Sequence, residues 1–263
     1  MTQEHKDYLK KFKINKLIVI LSQVFILIFF LLIWELLAKY EVIDPFIFSK
    51  PSVIFNLFKK YLSTNELLMH TLVSTYEVIL GLFIGTILGL LIAIIFYEIE
   101  ILAKIFDPYL VVLNALPKTA LAPIFIIWVG TNTKGIVFVS ISISLIITII
   151  NGLNTFNNVD KDKIKLFKTF NANKIQILWH LLLPANRNEI LNIIRINIGM
   201  SWIGVIVGEF IVSKKGLGYL ITYGTQIFRL DIVMMGIVTL AIVTIAMYQT
   251  LNLIAKIMKR KRN

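Results

Sequence analysis

A charged side chain inside a long apolar run is expensive to bury, and in this chain four such side chains stand out: Glu77, Lys118, Arg195 and Glu209. Ionisable groups at membrane depth mark substrate or ion pathways, or pair with one another. Lys118 lies between Pro117 and Thr119, four residues after Asn114 and five before Pro123. There it either offers a cation to an anionic cargo, pairs with Glu77 or Glu209, or extends to an interface. Glu209 either faces the same path, caps the backbone of the loop that follows it, or pairs with Arg195. Trp202 and Met200 either line a path or pack against other helices. The candidate path residues are thus Glu77, Asn114, Lys118, Trp202 and Glu209. Asp107, before Pro108, reads as the start of a helix.

Other chemistries are excluded by residue type. The chain has no Cys, so disulfides, thiolate metal ligands and thiol nucleophiles are absent. Its three His, at 5, 70 and 180, have no metal-ligand spacing. There is neither a Gly-x-x-x-x-Gly-Lys-Ser/Thr loop to cradle a nucleotide nor a nucleophile elbow. No catalytic residue, metal site or cofactor is expected, and any ATP hydrolysis belongs to another polypeptide.

The second group of candidates is the polar stretch from Val159 to Pro184, VDKDKIKLFKTFNANKIQILWHLLLP. Ile164, Phe167 and Phe170 precede Asn171; Ile175, Leu178, Leu181 and Leu182 follow it. Apolar residues three and four apart share a helical face. Asn tolerates the left-handed conformation that ends a helix, and Pro184 is expected to end the next one. The pattern is helix–turn–helix, with Leu166, Phe167 and Phe170 available to a partner's groove and Lys161, Lys163, Lys165 and Lys168 as a basic rim. A Lys run that is merely solvated, or that lies on lipid headgroups, fits the same letters.

The elements that carry these residues are apolar helices. Of 263 residues 57% are hydrophobic, above the roughly 45–50% of soluble domains, and mean hydropathy is +0.82. Several runs approach the ~20 residues that cross a bilayer. The chain reads as an all-α polytopic membrane protein with six transmembrane helices. Residues 1–16 form a basic cytoplasmic segment. Residues 17–70 hold the first span, too long for a signal-peptide core and expected to be retained, and an exposed loop. In that loop 52–60 reads as a short helix with Ile54, Leu57 and Phe58 on one side, suited to lying on the membrane surface. The core, 71–257, holds five more spans, and 258–263 is a basic tail. The second span carries Gly81, Gly85 and Gly89 on one face, a row that lets another helix approach closely in lipid. The third, 105–129, is broken by Asn114, Pro117, Lys118 and Pro123. The loop of 154–189 separates spans four and five.

Six spans put both termini, the 97–106 link and the 154–189 loop on one side. That side carries about 17 of the 27 Lys and Arg and the other about 8, so it is assigned to the cytoplasm. The net charge of +12 is then a topology signal and an attraction to anionic lipid, with no nucleic-acid partner implied.

With that topology the chain resembles the inner-membrane permease subunits of bacterial binding-protein-dependent ATP-binding-cassette importers. Ser74-Thr-Tyr-Glu77, four residues before Gly81, is similar to the start of that family's second span. Asp107-Pro-Tyr-Leu, Asn114-Ala-Leu-Pro-Lys-Thr-Ala-Leu-Ala-Pro123, Trp128-Val-Gly130, Lys134 and Asn151-Gly152 follow its third and fourth. Gly208-Glu209-Phe210 and Gly216-Leu-Gly-Tyr-Leu-Ile221 match its Gly/Ala-Glu and Gly-Leu/Ile-Gly-Tyr-Leu-Ile. The family's docking loop reads Glu-Ala-Ala, three residues, Gly; here Lys165, Leu166 and Phe167 and then Asn171 hold those positions, so spacing is kept while letters are not. The resemblance covers roughly residues 30–258 and is nearest the branch importing nitrate, sulfonates, taurine and thiamine-precursor pyrimidines. It implies a cytoplasmic coupling helix between the fourth and fifth spans, with Lys165, Leu166, Phe167, Phe170, Asn171 and Ala172 meeting the ATPase. It also implies a permease dimer, expected to be a homodimer, two cytoplasmic ATPase subunits and an extracytoplasmic substrate-binding protein, all in a bacterial cell membrane. An ion-coupled secondary transporter using Glu77, Lys118 and Glu209 is the alternative, although such folds show inverted repeats and none is evident here.

Overall fold

A computed structural model of the chain describes residues 3–260, and within them the side chains of 11–12 and 14–257. Parts of both basic ends, residues 1–2 and 261–263, lie outside the described residues. The described residues form helices α1 (Gln3–Lys39), α2 (Pro45–Phe48), α3 (Pro51–Ser63), α4 (Glu66–Glu98), α5 (Glu100–Ala115), α6 (Lys118–Val129), α7 (Thr133–Asn157), α8 (Lys161–Thr169), α9 (Lys174–Ile177), a π-helical turn (Leu178–Leu182), α10 (Leu183–Ala185), α11 (Arg187–Val212), α12 (Leu217–Gln226) and α13 (Leu230–Arg260). Five helices are long and apolar enough to cross a membrane, and α5 with α6 makes a sixth candidate, bent by 100°.

The centre of the bundle is α7, wedged between α4 and α11, and small residues explain why. Gly81, Gly85 and Gly89 of α4 face Ser140, Ser144 and Thr148 of α7 so closely that a Cβ on any of them would overlap a side chain of the opposing row. On the other side a Cβ at Gly204 of α11 would lie 2.5 Å from Ser140 Cα. In lipid, helices gain nothing from hiding apolar surface, so close backbone approach and buried hydrogen bonds take over. The hydroxyls comply. Ser144 and Thr148 donate to the carbonyls of Ser140 and Ser144, at 3.0 and 2.7 Å. Asn197 of α11 donates to Thr86 of α4 (2.8 Å) and to Thr148 of α7 (2.6 Å), tying all three helices at one level.

These contacts also fix the direction of the chain. Pairing of 81 with 140 and 89 with 148 makes α4 and α7 parallel. Residues between them must therefore return across the bundle, and the α5–α6 pair does this as one crossing. Ala122 and Ile126 of α6 pack on Val139 and Ile143 in one half of α7, and Leu110 of α5 packs on Ile149 in the other. The 100° bend falls at Leu116-Pro117, where proline removes a donor and biases its predecessor away from helix. The bundle thus has an elbow end, where α4 and α7 finish and α11 begins, and a cap end, where α11 finishes and α12 lies.

Three local expectations are corrected. Asp107-Pro108 does not start a helix; Pro108 is inside α5, which begins at Glu100. Pro184 does not stop its helix. The chain widens into a π turn, with the Leu183 N–H bonded to the Leu178 carbonyl, which makes room for the proline ring where an α-helical carbonyl would clash. The apolar side of α3 is turned onto the protein: Ile54 and Leu57 are buried in one cluster with Leu67, Leu217, Ile232 and Met235. By contrast α1 reaches the bundle through its C-terminal end, where Glu35 accepts bonds from the Ser52 N–H and hydroxyl at 2.9 and 2.8 Å.

Candidate functional site

The elbow is built from its turn outward. Asp160 caps α8, accepting from the Asp162 N–H at 2.9 Å. At the other end Asn171 takes φ 54°. The Ala172 N–H bonds to the Phe167 carbonyl (3.1 Å) and the Asn171 N–H to the Lys168 carbonyl (3.0 Å). This is a Schellman ending, with Asn in the position that usually holds Gly. Asn173 and Gln176 then close a capping box on α9, each accepting the other's N–H at 2.8 Å. Three helix ends and the turn between α8 and α9 are satisfied within seventeen residues.

The elbow docks on the bundle through one apolar face. Val159, Ile177, Leu181 and Leu182 are buried with Ala93 and Phe156, and Ile164, Phe167 and Ala172 pack against them. Lys174 reaches Glu98 at the end of α4, 3.1 Å away. Of the six residues expected to meet a partner, Phe167 and Ala172 therefore face inward and hold the elbow to the bundle. Lys165, Leu166, Phe170 and Asn171 are exposed. Phe170 is 77% exposed and Leu166 55%, at the tip of a protrusion whose other large apolar residues on α8 are covered. The reason is geometric: residues 164 and 167 share one face of α8, and 166 and 170 another.

The cap end is the opposite kind of structure. The first turn of α12 has N–H groups that its own helix cannot satisfy. Gly216 precedes it with φ 109°, a conformation open to glycine. The Gly216 N–H donates to His70 Nδ1 (2.9 Å), Leu217 to the Ser74 hydroxyl (2.7 Å) and Gly218 to Glu209 Oε2 (2.5 Å). Ser74 in turn donates to Glu209 Oε1 at 2.6 Å. Two side chains of α4 and one of α11 thus cap α12, all buried. Glu77 is buried beside Glu209 and Thr133.

The five path candidates do not meet at one place. Glu77 and Glu209 belong to the buried cap. Glu209 there caps the following loop, the second of the three roles its position allowed, while Arg195 is elsewhere, bonded to Asn252 of α13 (3.0 Å) and Asn192 (2.5 Å). Trp202 is buried in the cluster with Val78, Leu82 and Leu217. Asn114 and Lys118 sit at the α5–α6 bend, where the Lys118 amino group donates to the Asn114 carbonyl at 3.1 Å and bonds neither glutamate. Asn197 was passed over in the sequence, and His70 and Ser74 were named there without the capping role the structure gives them. A helical spacing of His70, Ser74 and Glu77 along α4 was the available signal.

An all-α bundle of helices long and apolar enough to cross a membrane, with a self-closed elbow at one end and a capped helix at the other, defines a polytopic membrane protein. Residues 85–262 match the family of the binding-protein-dependent transport system inner membrane component, and the chain belongs to that family. A Bacillus subtilis protein bearing the name aliphatic sulfonates transport permease is 31% identical over 222 residues, covering 80% of this chain and 76% of the relative. The taurine transport system permease of Escherichia coli is 24% identical, covering 81% and 79%. The formylaminopyrimidine transport permease of Halalkalibacterium halodurans is 28% identical, covering 73% and 77%. The chain is accordingly an ABC transporter permease component, not itself an enzyme, in a family that associates with ATPase and substrate-binding protein partners.

Proposed function

We propose that this chain forms the translocation path of an ATP-driven importer and is moved by separate ATPase subunits that grip the elbow. The observation that carries this is the exposure of Leu166 and Phe170 at the tip of a protrusion whose inner face is packed on the bundle, with Ile175 and Trp179 also exposed on the far side of the turn. Two bare apolar side chains within a rim of Lys161, Lys163, Lys165 and Lys168 suit a helix laid into a partner's groove. Because Phe167 and Leu182 lock the elbow to α4 and α7, a pull on its tip is passed to the centre of the bundle. ATP-driven closure of the ATPases would then shift the membrane helices between inward and outward states in proportion to its differential binding to the two.

The Lys/Arg asymmetry supports a cytosolic elbow, with both chain ends on that side and the cap facing outward. Two copies are expected around one path, with two ATPases below and a substrate-binding protein above. The named relatives support a small sulfonate, an amino-sulfonate or a pyrimidine as cargo. Lys118, at the bend of a broken span, is the cation in this reading that an anionic group would meet.

The test is co-purification of the permease with its ATPase. Leu166→Arg with Phe170→Arg is expected to cut ATPase association and uptake at least ~10-fold, the scale of removing two apolar anchors from an interface, while leaving thermal stability unchanged. Association that survives the double substitution would sink the proposal.

A further inference from the structure

Directly above the elbow, a cleft of about 240 Å³ opens between the last turns of α7 and the first turns of α11. Its lining is unusual for a bundle of this composition: Asn151, Asn154, Thr155 and Asn158 from one side, Asn186, Glu189 and Asn192 from the other, with Ile193 and Ile196 at the back. Five carboxamides and a hydroxyl facing one space are poorly suited to lipid, where each unsatisfied group costs several kcal/mol. The cleft therefore faces water or a solute.

Four of the seven polar side chains there are free to bind, while Asn186 donates to the Leu182 carbonyl at 3.0 Å. Among the described residues, the side chains of Asn151, Asn154, Thr155 and Asn158 make no hydrogen bond within the chain. Asn192 is held in a definite orientation. Its carbonyl accepts from Arg195 Nη1 at 2.5 Å, so its amide nitrogen points the other way, 3.3 Å from Glu189 Oε2. Arg195 is anchored behind it on Asn252. Glu189 is the single formal charge among the lining residues.

We infer that this cleft is a binding site on the elbow side of the permease for a small solute that carries an amino or ammonium group together with hydrogen-bond acceptors. Glu189 takes the nitrogen. The asparagine amides, which donate as well as accept, take sulfonate oxygens or ring nitrogens. A plain alkanesulfonate offers nothing to Glu189 and meets its negative charge. The inference rests on the permease reading and narrows its cargo to amino-sulfonates and amino-pyrimidines over nitrate and simple sulfonates.

The experiment uses the full-length chain in lipid nanodiscs, titrated calorimetrically with taurine and with ethanesulfonate, which keeps the sulfonate and lacks the amine. Taurine is expected to bind at least 10-fold more tightly than ethanesulfonate. Glu189→Gln should remove that preference by weakening taurine at least 10-fold. Asn154→Leu, at an exposed position, should weaken taurine several-fold and serves as the second variant if the first does not fold. A 4-aminopyrimidine and pyrimidine pair should repeat the ranking. Equal binding of taurine and ethanesulfonate, no binding of either, or indifference of taurine to both substitutions would overturn the assignment. ATPase co-purification with Glu189→Gln separates the two readings: it is expected to persist, and its absence from the unaltered chain would count against the elbow proposal without touching the titrations.

Discussion

At the cap end, the first turn of α12 is closed by His70, Ser74 and Glu209, residues up to 146 positions away along the chain. At the elbow end, the turn from α8 to α9 is closed by its own backbone and by partners three to five positions away. The cap is buried and polar; the elbow tip is exposed and apolar. A long-range polar cap binds α4, α11 and α12 into one unit, since each buried partner that is lost leaves another unsatisfied. A locally closed turn keeps its shape whatever the bundle does and leaves Leu166 and Phe170 for a second protein. One end is fitted to hold helices together, the other to be held.

That contrast can be broken most severely at Gly218. A Cβ there would lie 2.8 Å from Glu209 Cβ and 3.0 Å from the Ile206 carbonyl. Gly218→Val is expected to displace α12 and abolish monodisperse protein on size exclusion, because backbone cannot yield as a flexible side chain can. Glu209→Ala is the next largest. It leaves the Gly218 N–H and the Ser74 hydroxyl without acceptors, and should cost about 2–3 kcal/mol of stability, read as a lowered midpoint in thermal unfolding; Glu209→Gln, which keeps one acceptor, should recover part of it. The elbow should be far more forgiving. Asn171→Val, forcing a β-branched residue to φ 54°, is expected to cost about 1 kcal/mol, and Asn171→Gly a few tenths or less. Equal sensitivity of the two ends to these changes would remove the distinction drawn between them.

Much of the elbow was legible because its information is local. Asn171 as the turn and the apolar spacing of the runs before and after it are properties of adjacent residues; the caps at Asp160 and Asn173 are equally local but were not read from the letters. The break in the third span was legible for the same reason, since Pro117 acts on its own backbone. What failed were judgements about which way a face turns. Phe167 reads as fully available to a partner, yet it is half-buried against the cluster that holds Phe156 and Leu182. The apolar side of α3 reads as a membrane-surface helix until Leu217 and Met235 are found against it. Pro184 reads as a helix stop, yet a π turn accommodates it.

The sequence by itself determined that this is an all-α polytopic membrane protein with an elbow between two of its apolar helices, α7 and α11. Hydropathy, glycine spacing and turn residues act over a few positions and need no knowledge of the fold. Only the tertiary structure decided that Gly81, Gly85 and Gly89 meet Ser140, Ser144 and Thr148, that Glu209 caps α12, and that five asparagines at and beside the facing ends of α7 and α11 share a cleft. Each of those depends on residues brought together from distant parts of the chain, where direction and rotation of a whole helix, and no local preference, set which side chains meet.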